Sequence, residues 1–366
     1  MITVLNLHAQ RGSFFLTDIS FEVQCGSILT LMGPNGCGKT TLLECIAGLQ
    51  RINSGKIIIN GVDVTDLPPE KRRVGYVPAD YALFPNMTVE RNIQLAFKKS
   101  KGMELSDLRR IIRLLQIENL MNRSVESLSS GQKQRVAIAR ALAAKPDVLL
   151  LDEPCSALDP PTREVFRREI CSMLKETFRQ FGTSVIHTTH DLLEARAISD
   201  KIAIMSNGRI EQIGSIETIF ENPSSKFIAE FLGYNVLNGR IISIEDGHAS
   251  IDVGGTILSA ECHGNFPEKV KDVIVVIKPQ DIILSPTKEI VKPKWKGCQC
   301  NILTGRVKGM YIEGSVVKVD VDLGDINLKA EISPDYLDDF DVKPGATVFV
   351  QIKASRVKVL TKHFET

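Results

Sequence analysis

Short apolar runs alternate with longer mixed stretches up to about residue 233. The runs Ser27–Met32, Asp147–Leu151 and Ser184–Thr188 are short and almost wholly apolar or small, which predicts buried strands. The intervening stretches Lys39–Leu49 and Pro160–Phe181 are predicted as helices. This alternation is typical of an α/β fold built around one sheet.

Two further patterns belong to the same part of the chain. Residues from roughly Phe84 to Leu128 are helical and charged, with Arg109 and Arg110 beside apolar neighbours, and predict a helical insert on one side of the sheet. We expect this helical subdomain to span about residues 84–145. Asn207-Gly208 stands between IAIMS and RIEQI, which predicts a β-hairpin.

Beyond residue 233 the chain consists of short predicted strands separated by Gly, Pro and Asp. Here Asn235–Ile241 matches Asn301–Val307, and each copy later reaches a second shared element, VIVVIK ending at Lys278 and VFVQIK ending at Lys353. Two matched elements in the same order predict two copies of one small β unit, joined by a Pro/Lys-rich linker.

The change of pattern near residue 233 predicts two domains. We expect one domain over residues 1–233 and a duplicated β domain over 234–366.

Composition and charge narrow the range of possible functions. The 366 residues carry 45 basic and 44 acidic side chains, so no global field attracts nucleic acid. Neither a transmembrane run nor a signal-peptide pattern is evident, and the eight cysteines lack C-x-x-C spacing, which predicts reduced thiols in a cytosol.

One motif follows a predicted strand and opens a predicted helix. It fits G-x-x-x-x-G-K-[ST], whose backbone N–H groups wrap phosphates while the helix N-terminus adds positive charge. Lys39 is expected to reach the β- and γ-phosphates and Thr40 to ligate Mg²⁺. The predicted phosphate loop comprises Gly33, Pro34, Asn35, Gly36, Cys37, Gly38, Lys39, Thr40 and Thr41.

The apolar strand VLLL ends in two adjacent carboxylates, Asp152 and Glu153. Side chains alternate along a strand, so the two must point differently. Asp152 suits the Mg²⁺ shell, and Glu153 suits the general base that polarises the attacking water.

The most specific motif is Leu128-Ser-Ser-Gly-Gln132, followed by the helical KQRVAIARAL. It resembles the LSGGQ motif of the ATP-binding-cassette family, with Ser130 in place of the first Gly. The resemblance extends to Ser156–Asp159 after the acidic strand and to His190 within TTHD, and it covers residues 1 to about 233.

In that family two cassettes pair head to tail and enclose two ATP molecules. The resemblance therefore implies a homodimer in which Ser129, Gly131 and Gln132 contact the partner's ATP. It also implies that Asp159 lies at the dimer interface and that His190 holds the γ-phosphate. A helix N-terminus offers free N–H donors to an anion, in keeping with this role.

Two positions depart from the family pattern. The family usually has a Gln where this chain has Ala79, and that Gln contacts Mg²⁺ and water. The aromatic residue that stacks on adenine is expected near residues 10–14, where Arg11 and Phe14 are the candidates.

The duplicated β region resembles the small all-β, OB-like (oligosaccharide-binding-fold-like) TOBE domains at the C-terminus of the ATPase subunits of bacterial and archaeal importers. Its second unit most resembles the oxyanion-binding module of molybdate and tungstate importers, on Asn301-Ile-Leu-x-Gly305 and Ile352–Ser355. Cys298 and Cys300 replace the Ser and Arg that precede the Asn there, and thiols are weak donors. Lys353 and Ser355 remain candidate donors for an oxyanion.

These resemblances imply the ATP-hydrolysing subunit of an importer at the cytoplasmic face of the membrane. Its partners would be separate permease subunits and, indirectly, an extracytoplasmic solute-binding protein. Molybdate or tungstate is the favoured cargo, while iron(III), sulfate, sugars and polyamines stay open. Two other classes stay open. One is a soluble cassette ATPase that acts on nucleic acid or another assembly, which the near-neutral charge disfavours. The other is a nucleotide-gated binding module with little turnover, suggested by Ala79 and by the unusual adenine region.

Overall fold

The computed structural model divides into two compact units, Met1–Asn222 and Pro223–Thr366. Several predicted features lie outside the described residues: Asp159, Cys298, most of the helix expected at Pro160–Phe181, and the Pro/Lys-rich linker. The structure describes residues 1–100, 102–155, 175–262, 270–286, 299–314, 316–335 and 342–361.

The described strands of the first unit form two sheets. A small antiparallel sheet has the order β2-β1-β4-β5, and a larger sheet has the order β10-β9-β3-β8-β7-β6. The strands are β1 (Ile2–Arg11), β2 (Phe14–Val23), β3 (Ile28–Met32), β4 (Ser54–Ile59), β5 (Val62–Asp63), β6 (Val74–Val77), β7 (Val148–Asp152), β8 (Ser184–Thr189), β9 (Lys201–Ser206) and β10 (Arg209–Gly214).

The larger sheet confirms the predicted strands and brings their carboxyl ends together. Strands β6, β7, β8, β3 and β9 are parallel neighbours, and every residue of β3, β7 and β8 is buried. Such strands are covered on both faces, which explains their continuous apolar character. The predicted Asn207-Gly208 hairpin joins β9 to the antiparallel edge strand β10.

The helices of the first unit cover this sheet, and residues 175–181 are also helical. The predicted helical insert contains three of them, which pack with β6 and β7 in one apolar core. The helices are α1 (Lys39–Ala47), α2 (Val89–Lys99), α3 (Leu105–Leu114), α4 (Ser130–Ala143), α5 (Leu192–Ile198) and α6 (Ile216–Glu221).

The second unit begins before the boundary expected from the sequence, because helix α7 (Lys226–Phe231) packs onto its first sheet through Ala229, Ile274 and Val276. Its described strands are β11 (Asn235–Glu245), β12 (His248–Val253), β13 (Thr256–Glu261), β14 (Asp272–Ile277), β15 (Ile282–Ser285), β16 (Cys300–Glu313), β17 (Val316–Asp322), β18 (Asn327–Ile332), β19 (Thr347–Lys353) and β20 (Lys358–Thr361).

The two sequence repeats build two five-stranded sheets that exchange one strand each. The sheets have the orders β13-β12-β11-β14-β20 and β15-β19-β16-β17-β18. Strand β15 follows the first repeat but pairs with β19 of the second, and β20 follows the second repeat but pairs with β14 of the first. The inward side chains of both repeats form a single apolar core.

The matched asparagines of the two repeats make equivalent hydrogen bonds. The Asn235 side chain exchanges hydrogen bonds with the backbone of Lys329 on β18, at 2.7 and 2.9 Å. The Asn301 side chain does the same with the backbone of Ser259 on β13, at 2.6 and 2.9 Å. Each asparagine is buried and therefore ties its own repeat to the other.

Candidate functional site

The phosphate loop leaves β3 at Met32 and enters α1 at Lys39, as the sequence predicts. Two glycines make this path possible. A side chain at Gly33 would clash with the Met205 carbonyl oxygen. Gly38 has φ of 106°, and a side chain there would lie 2.8 Å from the Phe14 ring. Larger residues at either position would displace the backbone that forms the cradle.

A cleft of about 270 Å³ opens in front of this loop. The Lys39 ammonium is buried beside it and donates to the Gly33 and Pro34 carbonyls at 2.9 and 3.2 Å. These two acceptors are uncharged, and the Glu153 carboxylate lies farther from Nζ, at 3.8 Å, so the ammonium can also attract an anion in the cleft. The lining residues are Phe14, Asn35, Gly36, Gly38, Lys39, Thr40, Thr41 and Glu153.

The buried Asp152 carboxylate at the end of β7 accepts hydrogen bonds from three hydroxyl groups. Thr40 Oγ1 and Thr188 Oγ1 lie 3.2 and 2.8 Å from Oδ1, and the Tyr76 hydroxyl lies 3.3 Å from Oδ2. Burial and the nearby Asp152 charge raise the pKa of Tyr76 above its usual range, so the phenol keeps its proton and donates it. Asp152 is thus fixed beside the first turn of α1.

The Glu153 side chain has different partners from Asp152. Its Oε2 lies 3.4 Å from His190 Nδ1, and its Oε1 lies 3.8 Å from Lys39 Nζ. The backbone at Glu153 has φ of 43°, a left-handed conformation, and its amide donates to Thr188 Oγ1 at 2.8 Å. Thr188 therefore holds both acidic residues, one through its carboxylate and one through its backbone.

The LSGGQ-like motif forms the N-terminus of α4. Ser129 caps this helix, and Ser129 and Gln132 make reciprocal hydrogen bonds between side chain and backbone in a capping box. Ser129, Gly131 and Gln132 are not among the lining residues of the phosphate-loop cleft given above. The described part of the chain thus brings Lys39, Thr40, Asp152, Glu153 and His190 together but leaves the LSGGQ-like motif outside that group.

Ala79 is exposed in the loop that follows β6. The same loop is held by Arg140 of α4, whose guanidinium donates to the Tyr81 and Ala82 carbonyls at 3.2 and 2.7 Å and lies over the Phe84 ring. Burial lowers the pKa of Arg140 from its ordinary value. The loop is therefore anchored to the helix that carries the LSGGQ-like motif.

The two candidates for the adenine contact differ in their surroundings. Arg11 forms an ion pair with Glu44 on α1. Phe14 lines the cleft and packs partly buried against the adjacent core. Of the two side chains, Phe14 is therefore the one placed to meet a base that extends from the phosphates.

Sequence reasoning missed Thr188 and Tyr76. Both precede residues that it did single out, Thr188 in TTHD and Tyr76 in the strand before Ala79. The only available signal was a polar side chain within a strand that is otherwise buried. That signal shows that a partner is needed but not which residue provides it.

Comparisons with known proteins assign this chain to a family. A model described as ABC transporter matches residues 16–156, and a TOBE domain model matches residues 299–359. The molybdate/tungstate import ATP-binding protein of Pyrococcus abyssi is 37% identical over 364 residues, covering 98% of this chain and 100% of that protein. This chain belongs to the ABC transporter family. Its first unit is an ATP-binding cassette, and the resemblance inferred from the motifs is confirmed.

Other ABC transporter relatives are named for other solutes. A spermidine/putrescine import ATP-binding protein of Legionella pneumophila is 36% identical and covers 96% of this chain and 95% of its own length. A sulfate/thiosulfate import ATP-binding protein of Bacillus cereus is 35% identical, with 97% of each chain covered.

Solved structures support the cassette fold. A dimeric bacterial ABC transporter cassette has a TM-score of 0.51 and 29% identity, covering 59% of this chain and 99% of its own. The post-hydrolysis state of a cassette bound to ADP and phosphate has a TM-score of 0.50 and 30% identity over the same shares. These neighbours correspond to the cassette and not to the second unit, which agrees with the two-part architecture. Among the helices that the structure describes, none has the length and apolar character needed to cross a membrane.

Proposed function

We propose that this chain is the ATP-hydrolysing subunit of an importer that moves a small solute through separate membrane permease subunits. Its place would be the cytoplasmic face of the membrane, with a solute-binding protein on the other side as an indirect partner. The observation that carries the proposal is the meeting of Lys39, Asp152, Glu153 and His190 at one edge of the sheet. Relatives that match nearly the whole chain are named for import.

The side chains suggest a division of labour in hydrolysis. Lys39 would bind the β- and γ-phosphates, and Glu153 would take the proton of the attacking water. His190 lies half-exposed beside Glu153 and would donate to the γ-phosphate. Cleavage leaves a free phosphate that no longer joins His190 to the nucleotide, so this contact would report the state of the site.

The residues around Asp152 fit Mg²⁺. Thr40 offers a hydroxyl oxygen and Asp152 a carboxylate oxygen 3.2 Å apart, and such hard oxygen donors are those that Mg²⁺ prefers beside phosphates. Bound Mg²⁺ would neutralise negative charge on the β- and γ-phosphates. Thr188 and Tyr76 would keep the Asp152 carboxylate in place for it.

A homodimer would complete each site. Ser129, Gly131 and Gln132 stand at the start of a 14-residue helix, whose first N–H groups suit an anion. In a head-to-tail pair they would contact the ATP held by the partner's phosphate loop, with Asp159 at the interface. The dimeric state of the cassette neighbour supports this arrangement.

Molybdate or tungstate is the cargo that we favour, because a relative that is 37% identical over 98% of this chain is named for it. Sulfate and polyamines are the alternatives that other relatives represent, and iron(III) and sugars follow from the sequence resemblance alone. For an oxyanion at the second unit, Lys353 and Ser355 are the candidate donors. Calorimetric titration of the full chain with molybdate, tungstate and sulfate would test this part of the proposal.

Replacement of the proposed base tests the ATPase assignment. Glu153→Gln keeps the shape of the side chain but removes its basicity, so ATP turnover should fall by about 10²–10⁴. ATP should still bind, and the variant should elute as a dimer when ATP is present. Turnover at the wild-type rate would show that Glu153 is not the base.

A second candidate function is a nucleotide-gated module with slow turnover, which the Ala79 substitution favours. Purified chain assayed alone and with its membrane partner separates the two. Strong stimulation by the partner supports the importer ATPase, and slow turnover under both conditions supports the gated module.

A further inference from the structure

A buried polar cluster lies behind the end of β8, outside the catalytic group described above. Its members come from β3, β8, the segment after β7, and α5 with the Ser199 that caps it, and each is at most 4% exposed. We call it the His187 cluster; it consists of Thr30, Cys155, His187, Thr189, Glu194 and Ser199.

The centre of the cluster is a pair of buried side chains. His187 Nε2 lies 3.0 Å from Glu194 Oε1, and His187 Nδ1 lies 3.1 Å from Thr30 Oγ1. Both ring nitrogens are therefore engaged, which fixes the orientation of the imidazole. Burial raises the pKa of Glu194, but the His187 charge and the hydrogen bonds from His187, Cys155 and Thr189 outweigh it and lower the pKa below its ordinary value.

The same carboxylate also holds the two chain segments that carry the catalytic side chains. Thr189 Oγ1 donates to Glu194 Oε2 at 2.7 Å and accepts from the Asp191 amide at 3.0 Å. The Thr189 hydroxyl therefore fixes the backbone on both sides of His190. Cys155, two residues after Glu153, is buried in the same cluster, and a hydrogen bond from its side chain is among the causes that lower the pKa of Glu194. One buried carboxylate is thereby bonded next to His190 and next to Glu153.

A buried carboxylate needs its donors, since leaving it unsatisfied is expensive. Movement of either segment would break a hydrogen bond to Glu194 in a place that water does not reach. We propose that Glu194, fixed by His187, is a positioning residue that sets the separation between Glu153 and His190. This inference rests on the proposed roles of Glu153 and His190.

The first test compares two buried threonines, Thr189 at the carboxyl end of β8 and Thr183 directly before its first residue. Thr189→Val removes the bond to Glu194 without changing side-chain size. Thr183→Val removes a bond of similar burial, from Thr183 Oγ1 to the Pro146 carbonyl, far from the catalytic residues. We expect Thr189→Val to lower kcat about tenfold with KM for ATP changed less than about twofold, because only the alignment of the reacting groups is lost. Thr183→Val should lower the thermal midpoint but leave kcat unchanged.

The second test uses rescue at Cys155. Cys155→Ser keeps a donor for Glu194, whereas Cys155→Ala removes that donor. The serine variant should therefore keep the wild-type kcat, and the alanine variant should have a lower kcat. Glu194→Gln, if it folds, should reproduce the kcat loss of Thr189→Val. Equal kcat for Thr189→Val and Thr183→Val, or for the two Cys155 variants, would overturn the inference.

Failure of the inference is distinguishable from failure of the proposed function. Glu153→Gln measured in parallel reports on the base itself. If Glu153→Gln is inactive while Thr189→Val keeps the wild-type kcat, only the positioning role of Glu194 is wrong. If Glu153→Gln is fully active, the proposed catalytic role is wrong as well.

Discussion

At the scale of single residues, Thr188 is hydrogen-bonded to both acidic residues of the site. Its hydroxyl lies 2.8 Å from Asp152 Oδ1 and also accepts the Glu153 amide at 2.8 Å, where the backbone has a left-handed conformation. Strained backbone of this kind persists only when neighbouring groups hold it. Thr188 thus stabilises the geometry that directs the two acidic side chains to different partners.

Thr188→Val should consequently lower ATP turnover and raise the Mg²⁺ concentration that gives half-maximal rate, by about tenfold in each case, since one lost hydrogen bond to a charged group is worth about 1.5–3 kcal/mol. Thr188→Ser is the matched control and should behave like the wild type because it keeps the hydroxyl. Mg²⁺ titrations of steady-state ATPase activity make the comparison. An unchanged Mg²⁺ dependence in the valine variant would contradict the role.

Lys39 is the residue on which ATP binding should depend most. Lys39→Ala removes the buried ammonium that faces the cleft. The free energy of nucleotide binding should therefore become less favourable, by several kcal/mol at most. The exposed Lys71→Ala is the control for a change of net charge. Titration with a fluorescent ATP analogue measures both, and equal affinities would refute the phosphate-loop assignment.

At the scale of elements, the loop after β6 carries Ala79, where the family usually has Gln, and is hydrogen-bonded to Arg140 of α4. Arg140 fixes the loop carbonyls at Tyr81 and Ala82, so the backbone at Ala79 is held although its side chain is small. Ala79→Gln restores an amide that can orient a water towards the γ-phosphate. We expect a modest rise in basal ATPase activity at saturating Mg-ATP. An unchanged or lower rate would show that Ala79 does not limit turnover.

In the second unit, the equivalent asparagines give a prediction about stability. Asn235→Ala and Asn301→Ala each remove two hydrogen bonds to part-buried backbone N–H and C=O groups of the other repeat, so each should destabilise the unit by about 1–3 kcal/mol. Asn238→Ala, an exposed change on the same strand as Asn235, should have little effect. Chemical denaturation measures all three. A loss confined to one of the two buried positions would argue against their equivalence.

At the scale of the whole molecule, complementation tests the head-to-tail dimer. Lys39→Ala disables the phosphate loop, and Gly131→Val places a bulky side chain in the first turn of α4, within the LSGGQ-like motif. A mixed dimer retains one site made from the intact phosphate loop of one chain and the intact motif of the other. We expect mixtures of the two inactive variants to recover ATPase activity, whereas either variant alone stays inactive. No recovery on mixing would contradict the shared site.

The extent of sequence-based prediction differs between these scales. The cassette strands, the phosphate loop and the acidic pair could be predicted because each has a local pattern: apolar runs, glycine spacing and a strand end. Thr188 and Glu194 could not be, since their roles depend on contacts between β8, β7 and α5 that no local pattern specifies. The repeat was visible in the sequence, but the exchange of β15 and β20 was not, because strand partners are chosen by long-range packing.

The exchange of β15 and β20 also affects how the second unit folds while the chain is being synthesised. Strand β14 lacks one neighbour until β20 has been synthesised, far downstream, and β15 must wait for β19. Non-local pairing of this kind folds slowly, and an unpaired apolar edge is open to wrong partners in the meantime. While the ribosome is still translating the second repeat, the first is therefore an incomplete sheet with an exposed edge. Chaperones would be needed most during that interval.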